Sequence, residues 1–197
     1  SGHGSQTIDT NYDDDYEPDG KDEILVPVDC DWRTNMIKDD DLRRIFNKVP
    51  EGVNLTVTLD CCHSGGGIDS GAAYEPNTRS FEGTPNTSRY LEPPADIMIR
   101  GIGLDLETKP KAISKNMGVL ISGCRSDQTS ADAWIHNKYV GAGTYYLIKT
   151  LETEDEYGKI VEEMNKHLTN SGYTQRPQLN GNDYYKEHKF LEPLGDV

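Results

Sequence analysis

Residues 55–59 form a short apolar run, Leu-Thr-Val-Thr-Leu, that leads straight into two cysteines and a glycine-rich turn. Runs of apolar and β-branched residues of this length are typical of buried strands in sheets that carry helices on their faces. In such sheets, ligands bind beyond the carboxyl ends of the strands. The sequence therefore predicts an α/β sheet in which Cys62 lies where a substrate would bind.

Cys62 is the candidate nucleophile of this predicted site. A thiol with an ordinary pKa of about 8.5 is mostly protonated at neutral pH, so a catalytic cysteine needs a basic partner. His3 is the candidate base, because Gly2 and Gly4 beside it favour an imidazole that projects from a strand end into a cleft. His63 fits this role less well, since adjacent side chains in an extended chain point to opposite sides.

The cysteines also have simpler interpretations. A cysteine in a strand is usually a buried structural residue, and this interpretation is preferred for Cys30, Cys61 and Cys124. A zinc site is a further alternative, although adjacent ligands chelate poorly in a tetrahedron. That site would use Cys61, Cys62, His63 and His136. The cysteines show no C-x-x-C spacing, which predicts a reducing, cytoplasmic compartment and no structural disulfide.

Two short motifs resemble the catalytic motifs of metacaspases, the caspase-like peptidases that cleave after Arg or Lys. They are Ser-Gly-His-Gly at residues 1–4 and Asp-Cys-Cys-His-Ser-Gly at residues 60–65. The resemblance continues in family order through residues 22–29, 121–132 and 177–179, so that it covers nearly the whole chain. It implies a caspase-like fold, a mostly parallel sheet flanked by helices on both faces, and a cysteine endopeptidase with Cys62 and His3 as its dyad.

The resemblance also assigns the substrate pocket. Asp60 lies two positions before Cys62, so its carboxylate is expected on the same side of the strand, where it can pair with a basic side chain. By resemblance, Ser1 lines the same pocket, which binds the residue after which the peptide is cut (the S1 pocket). A further pocket acid is expected upstream of this chain. The N–H groups of Gly4 and Cys62 are the expected donors to the oxyanion.

Calcium is the cofactor that the resemblance implies. Its ligands would be Asp22, Asp39, Asp40 and Asp69. Residues 65–67 contain one glycine more than the commoner metacaspase pattern, so the position of Asp69 departs from that pattern. Carboxylates that converge without basic partners repel one another, and a hard cation relieves that repulsion. The alternative is that Asp39 and Asp40 only compensate the dipole at the start of a helix. An EF-hand is excluded because Val26 stands where a bidentate Glu is required.

The chain is expected to be a single caspase-like catalytic domain. Residues 1–63 and 64–117 would form the large-subunit part, and residues 118–197 the small-subunit-like part. His3 lies so close to the start that the strand leading into it is expected upstream, either on the same chain or on a separate N-terminal fragment that completes the fold.

Hydrophobic periodicity predicts the elements along the chain. Strands are expected at residues 24–28, 55–60 and 118–124, with an edge strand at 189–194, and helices at 39–49, 144–153 and 157–168. The long loop between residues 64 and 115 exceeds the usual connection length, so it is interpreted as a lid or surface excursion. It carries basic residues at which a trypsin-like specificity could cut: Arg79, Arg89, Arg100, Lys109, Lys111 and Lys115.

The charge and hydropathy of the chain limit the kinds of partner that it is expected to bind. The 34 acidic and 20 basic residues give a net charge of −14, which disfavours nucleic acid and suits a basic peptide or a divalent cation. No apolar run approaches the length that spans a membrane. The expected partners are therefore peptides or proteins with Arg or Lys at the cleaved position. The alternative function is a catalytically silent caspase-like module that binds calcium or a protein.

Overall fold

The structure is a computed structural model that describes residues 1–8, 21–50, 52–61, 87–94, 97, 118–125, 128–181 and 183–193. The predictions that concern Cys62, His63 and Asp69, and those for most of the loop at 64–115, lie outside the described residues.

The described elements include both strands and helices along the chain. In chain order they are β1 His3–Ile8, β2 Lys21–Val26, β3 Ile37–Lys38, α1 Asp39–Phe46, β4 Thr56–Leu59, β5 Thr87–Ser88, β6 Val119–Ser122, β7 Ala131–Ile135, β8 Lys138–Gly141, α2 Ala142–Thr150, α3 Tyr157–Asn170, β9 Gln178–Gly181 and α4 Asp183–Lys186. The α/β class is thereby confirmed.

The strand predicted to lead to the nucleophile, β4, is an outer strand of a described three-stranded sheet with the order β4-β6-β9. β4 pairs in parallel with β6, and β9 pairs with the other side of β6 in the antiparallel direction. The register places Leu59 opposite Ser122, so the two strands end at the same edge. The edge beyond Leu59, where Asp60 follows, is thus the carboxyl end of a parallel pair, the place where α/β sheets bind ligands.

Helix α3 covers this sheet with the apolar stripe that its sequence predicts. Ile160, Val161 and Met164 pack against Val119 and Ile121 of β6 in one buried cluster. The spacing of these helix residues puts them on one face, and burial of such a face supplies most of a helix's stability in a protein. The prediction of a core helix here is confirmed.

The other described strands form antiparallel sheets, which corrects the expectation of a mostly parallel sheet. β1, β2 and β3 make one such sheet, and β5, β7 and β8 make another. The chain between Cys124 and α2 contains the β7–β8 hairpin. His136 and Asn137 form its turn with φ of 51° and 62°, the pair of positive values that a type I′ turn requires. The usual Asn-Gly signal for this turn is absent from the sequence.

The predicted edge strand at residues 189–194 is wrong. Lys189 makes only an isolated bridge to Glu156, and β9 closes the sheet instead. Two features stop a strand here: Leu191 adopts a positive φ of 60°, and Phe190 packs against the core as a single anchoring side chain. Among the described residues, no helix has the length and apolar character to cross a membrane.

Candidate active site

The structure brings the start of β1 against the end of β4. The N–H of Gly2 donates to the carbonyl of Asp60 over 3.2 Å. His3 follows Gly2 as the first residue of β1 and is exposed. Cys62 itself lies outside the described residues, but Asp60, two positions before it, is thus joined to the residue before the predicted base.

Asp60 is held by the first turn of α2. Its carboxylate is buried, and Oδ2 accepts hydrogen bonds from the backbone N–H and the hydroxyl of Thr144, both at 2.7 Å. The N-cap residue of α2 is Gly141, which has no side chain with which to cap the helix. Asp60 therefore caps α2 from another element, and the positive end of the helix favours its charge.

Glycines surround this carboxylate. A Cβ at Gly141 would overlap Asp60 Oδ2, and a Cβ at Gly123 or Gly143 would lie 2.8 or 3.0 Å from Oδ1. Separations of this kind are shorter than ordinary van der Waals contact, so a side chain at any of the three positions would push the carboxylate away. The three glycines and Thr144 together fix where the Asp60 carboxylate points.

A guanidinium group lies beside the predicted pocket residues. Arg89 donates to Ser1 Oγ over 2.6 Å and to the Asp60 carbonyl over 3.3 Å, and it pairs with Asp132 Oδ1 at 2.7 Å. Its side chain is only 10% exposed. Ser1 Oγ and the Asp60 backbone carbonyl thus both contact this guanidinium, while the Asp60 carboxylate, which was expected to pair with a basic side chain, bonds to Thr144. Asp132 was not among the predicted site residues, although it lies in the motif at residues 121–132.

The backbone of Arg89 is held as firmly as its side chain. Its carbonyl accepts from the N–H of Gly4 over 2.9 Å, and its N–H donates to the carbonyl of Ser130 over 3.0 Å. The preceding residues form β5, which pairs with β7, and Tyr90 bridges to Gly4. The segment thus lies as an extended peptide between β1 and β7, and the Gly4 N–H predicted to face an oxyanion faces a peptide carbonyl.

Cys61 does not have the environment of a nucleophile. It is buried, and this burial, together with the nearby Asp60 carboxylate, raises the pKa of its thiol to about 12. Only the thiolate is an effective nucleophile, so this side chain is inert at neutral pH. Burial is confirmed for Cys61 and Cys124, whereas Cys30 is only partly buried.

The predicted calcium ligands have basic neighbours, which corrects the expectation that they converge without them. Asp22 is fully buried and pairs with Lys38 Nζ at 2.5 Å. Asp39 and Asp40 start α1 and pair with Arg43 at 3.5 and 3.0 Å. Within the described ranges, no group of three or more His, Cys, Asp or Glu side chains could hold a metal. The carboxylate oxygens still suit a hard cation in their chemistry.

Comparison with known proteins identifies the family. The family described as "Caspase domain" matches residues 1–188. The chain belongs to the caspase-domain family. Metacaspase-1 of Meyerozyma guilliermondii is 32% identical over 91% of this chain and 48% of its own length, and Metacaspase-1A of Aspergillus oryzae is 30% identical over 100% and 49%. The resemblance to metacaspases is confirmed, and the chain spans about half the length of these curated relatives.

A solved structure is similar to this caspase domain in fold. The crystal structure of a Geobacter sulfurreducens protein covers 99% of this chain and 70% of its own chain, with a TM-score of 0.63 and 23% identity. At that identity the likeness concerns the fold alone, and together with the family match it confirms the caspase-like fold class. In this caspase domain, Ser1, Gly4 and Asp60 each contact Arg89, while Cys62 and Asp69 lie outside the described residues.

Proposed function

We propose that the protein is a cysteine endopeptidase in which Cys62 is the nucleophile and His3 the general base. The hydrogen bond between Gly2 and Asp60 carries this proposal, because it joins the residue before His3 to the residue two positions before Cys62. Nucleophile and base must lie within reach of one another, and this contact holds their two segments together.

The chemistry follows from these roles. The thiolate of Cys62 attacks the scissile carbonyl carbon, and His3 takes the thiol proton and later gives it to the leaving amine. The N–H of Gly4, together with that of Cys62, is proposed to stabilise the oxyanion. In support, the Gly4 N–H already donates to a peptide carbonyl, that of Arg89, at 2.9 Å.

The proposed specificity is for Arg or Lys before the cut bond. Ser1 Oγ and the Asp60 carbonyl both accept from a guanidinium, and the carboxylate of Asp132 pairs with the same group. Carboxylates attract a basic side chain through charge-assisted hydrogen bonds and repel Asp or Glu. We therefore do not expect the acidic specificity of caspases here.

Peptide-library profiling of the full-length protein tests this function. We expect cleavage after Arg and Lys, with the Cys62→Ala variant inactive as the control. An electrophile that carries Arg should alkylate Cys62 far faster than it alkylates a free thiol. Alkylation at the free-thiol rate would instead favour a silent module, and cleavage mainly after Asp would contradict the proposed specificity.

We further propose that calcium activates this peptidase. Asp22, Asp39, Asp40 and Asp69 would hold the ion, whose charge would replace that of Lys38 and Arg43 among their carboxylates. Bound calcium would supply a fixed positive charge that orders the chain following Cys62. Completion of the fold by a separate N-terminal fragment stays a prediction.

A further inference from the structure

The lysine that precedes α1 holds one of the carboxylates assigned to calcium. Lys38 Nζ lies 2.5 Å from Asp22 Oδ2, and the two side chains are only 18% and 1% exposed. We propose that Lys38 is a built-in competitor of calcium: its ammonium group neutralises Asp22 when calcium is absent and has to leave this carboxylate before Asp22 can bind the ion. The inference rests on the calcium site proposed above and adds the residue that sets its affinity.

The burial of Asp22 explains why a cation lies beside it. Its carboxylate is shielded from water and therefore gains almost no hydration energy. A buried charge without a partner is costly, whereas a close opposite charge offsets that cost. Lys38 thus does for the folded chain what a bound cation would do, and the fold does not need calcium in order to bury Asp22.

The backbone of Lys38 lies between the two parts of the proposed site. β3 pairs with β2, which places Lys38 opposite Ile24, two residues beyond Asp22. The next residues along the chain, Asp39 and Asp40, start α1, and Lys38 is the N-cap residue of that helix. The lysine therefore connects the strand that pairs with the Asp22 strand to the helix turn that carries the other two carboxylates.

The side chain of Lys38 can give up its contact with Asp22 while its backbone stays in place. The backbone is held separately, because the N–H of Lys38 donates to Asp41 Oδ2 over 3.3 Å at the start of α1. The side chain is partly exposed, so water already reaches it. A lysine ammonium is strongly hydrated and is carried by a flexible four-carbon stem, which allows it to move into solvent.

The ammonium group and calcium exclude each other from Asp22 because both are positive. Calcium binds carboxylate oxygens at about 2.3–2.6 Å. Two cations that bind one carboxylate lie only a few ångströms apart, a separation at which their repulsion is strong away from bulk water. Binding of one cation therefore requires that the other leaves.

Arg43, the basic neighbour of the other two carboxylates, is a weaker competitor. It pairs with Asp39 at 3.5 Å and with Asp40 at 3.0 Å, and these two side chains are 23% and 19% exposed. Both contacts join neighbouring turns of one helix, and such pairs contribute little to stability. Release of these two carboxylates thus costs less than release of the Asp22 carboxylate, so Lys38 is the residue that controls the affinity.

Isothermal titration calorimetry of the full-length protein with calcium chloride tests this competition without any substrate. If Asp22 is available to calcium for only about 1–10% of the time, the apparent affinity falls about 10- to 100-fold. Lys38→Met keeps the apolar stem and removes the charge, so this variant should bind calcium about 10- to 100-fold more tightly than the wild type. Lys159→Met is the matched control, because it removes the lysine of an exposed ion pair with Glu156 and should leave the affinity unchanged.

Thermal denaturation separates a competitor from a purely structural ion pair. Without calcium, Lys38→Met leaves Asp22 buried without its ammonium partner, so the Tm should fall by about 6–20 °C. Saturating calcium should restore most of this loss and should raise the Tm of the variant more than that of the wild type. A structural ion pair would instead give a loss of Tm that calcium does not restore.

Amine labelling of the wild-type protein keeps the test independent of how the variant folds. With acetic anhydride, the Lys38 amine should react slowly while it is bonded to Asp22 and about 10-fold faster once calcium is added, because the two cations are linked reciprocally. Peptide mass spectrometry measures both rates. Lys159, whose side chain is 57% exposed, is the control whose rate calcium should not change.

The outcomes distinguish this inference from the calcium proposal on which it rests. If the wild type and Lys38→Met bind calcium equally well, Lys38 is not a competitor and the calcium site stands. Weaker binding in Lys38→Met, or labelling of Lys38 that does not respond to bound calcium, refutes the inference in the same way. If neither protein binds calcium, the calcium site and the competition both fail.

Discussion

The hydroxyl of Thr144 should contribute measurably to stability, because it bonds a buried carboxylate. Thr144→Val keeps the size and β-branching of the side chain and removes only the 2.7 Å bond to Asp60 Oδ2, while the backbone N–H bond remains. Hydrogen bonds to charged groups contribute about 1.5–3 kcal/mol. For a chain of this size that loss corresponds to a Tm lower by about 3–12 °C.

Urea and thermal denaturation of the full-length protein measure this effect, with Thr169→Val as the matched control. Thr169 donates its hydroxyl to a neutral helix carbonyl, that of Asn165, on an exposed face. Loss of such a bond should change the free energy of unfolding by less than about 0.5 kcal/mol.

A double-mutant cycle with Asp60→Asn completes the test. Because the two side chains contact each other, the cycle should show a coupling energy of about 1 kcal/mol or more. Thr144→Val that costs no more than Thr169→Val, or a cycle without coupling, would refute the assignment of Asp60 as the cap of α2. The same variant also tests the proposed specificity, because Thr144→Val removes one of the two hydrogen bonds from Thr144 that orient the Asp60 carboxylate and leaves the carboxylate itself in place.

Three further predictions concern Cys61 and the calcium site. Because burial raises the folded-state pKa of Cys61 to about 12, the unfolded thiol, whose ordinary pKa is about 8.5, loses its proton first as pH rises above about 8.5. Stability should therefore decline from that pH upward, and Cys61→Ala should remove this part of the decline; an unchanged slope would contradict the burial argument. At pH 8, native protein should react with iodoacetamide at Cys30 and not at Cys61, as peptide mass spectrometry would show. Asp39→Ala combined with Asp40→Ala should abolish calcium stimulation of peptidase activity while circular dichroism shows an intact fold. If that variant is destabilised but fully stimulated by calcium, the two residues serve the helix alone.

Local pattern in the sequence determined several features of this protein. Hydrophobic patterns indicate which side of an element is buried, as in the apolar runs around Val57 and Ile121 and in the apolar stripe on α3. These three elements form close to where they were predicted. The motifs at residues 1–4 and 60–65 determined the family in the same way, because the chemistry of a cysteine peptidase needs those residue types in a short stretch. Both kinds of signal lie within a few neighbouring residues.

Tertiary structure alone decided the partners of these residues. Asp60 bonds Thr144, 84 residues away, and Arg89 pairs with Asp132, 43 residues away. Lys38 meets Asp22 only because β2 and β3 are adjacent, with Ile24 opposite Lys38. The edge strand expected at 189–194 failed because β9 pairs with β6 in its place. The hydrophobic periodicity of a segment indicates which of its residues are buried. The contact partner of a residue depends instead on how whole elements pack against one another, and no short sequence pattern encodes that packing.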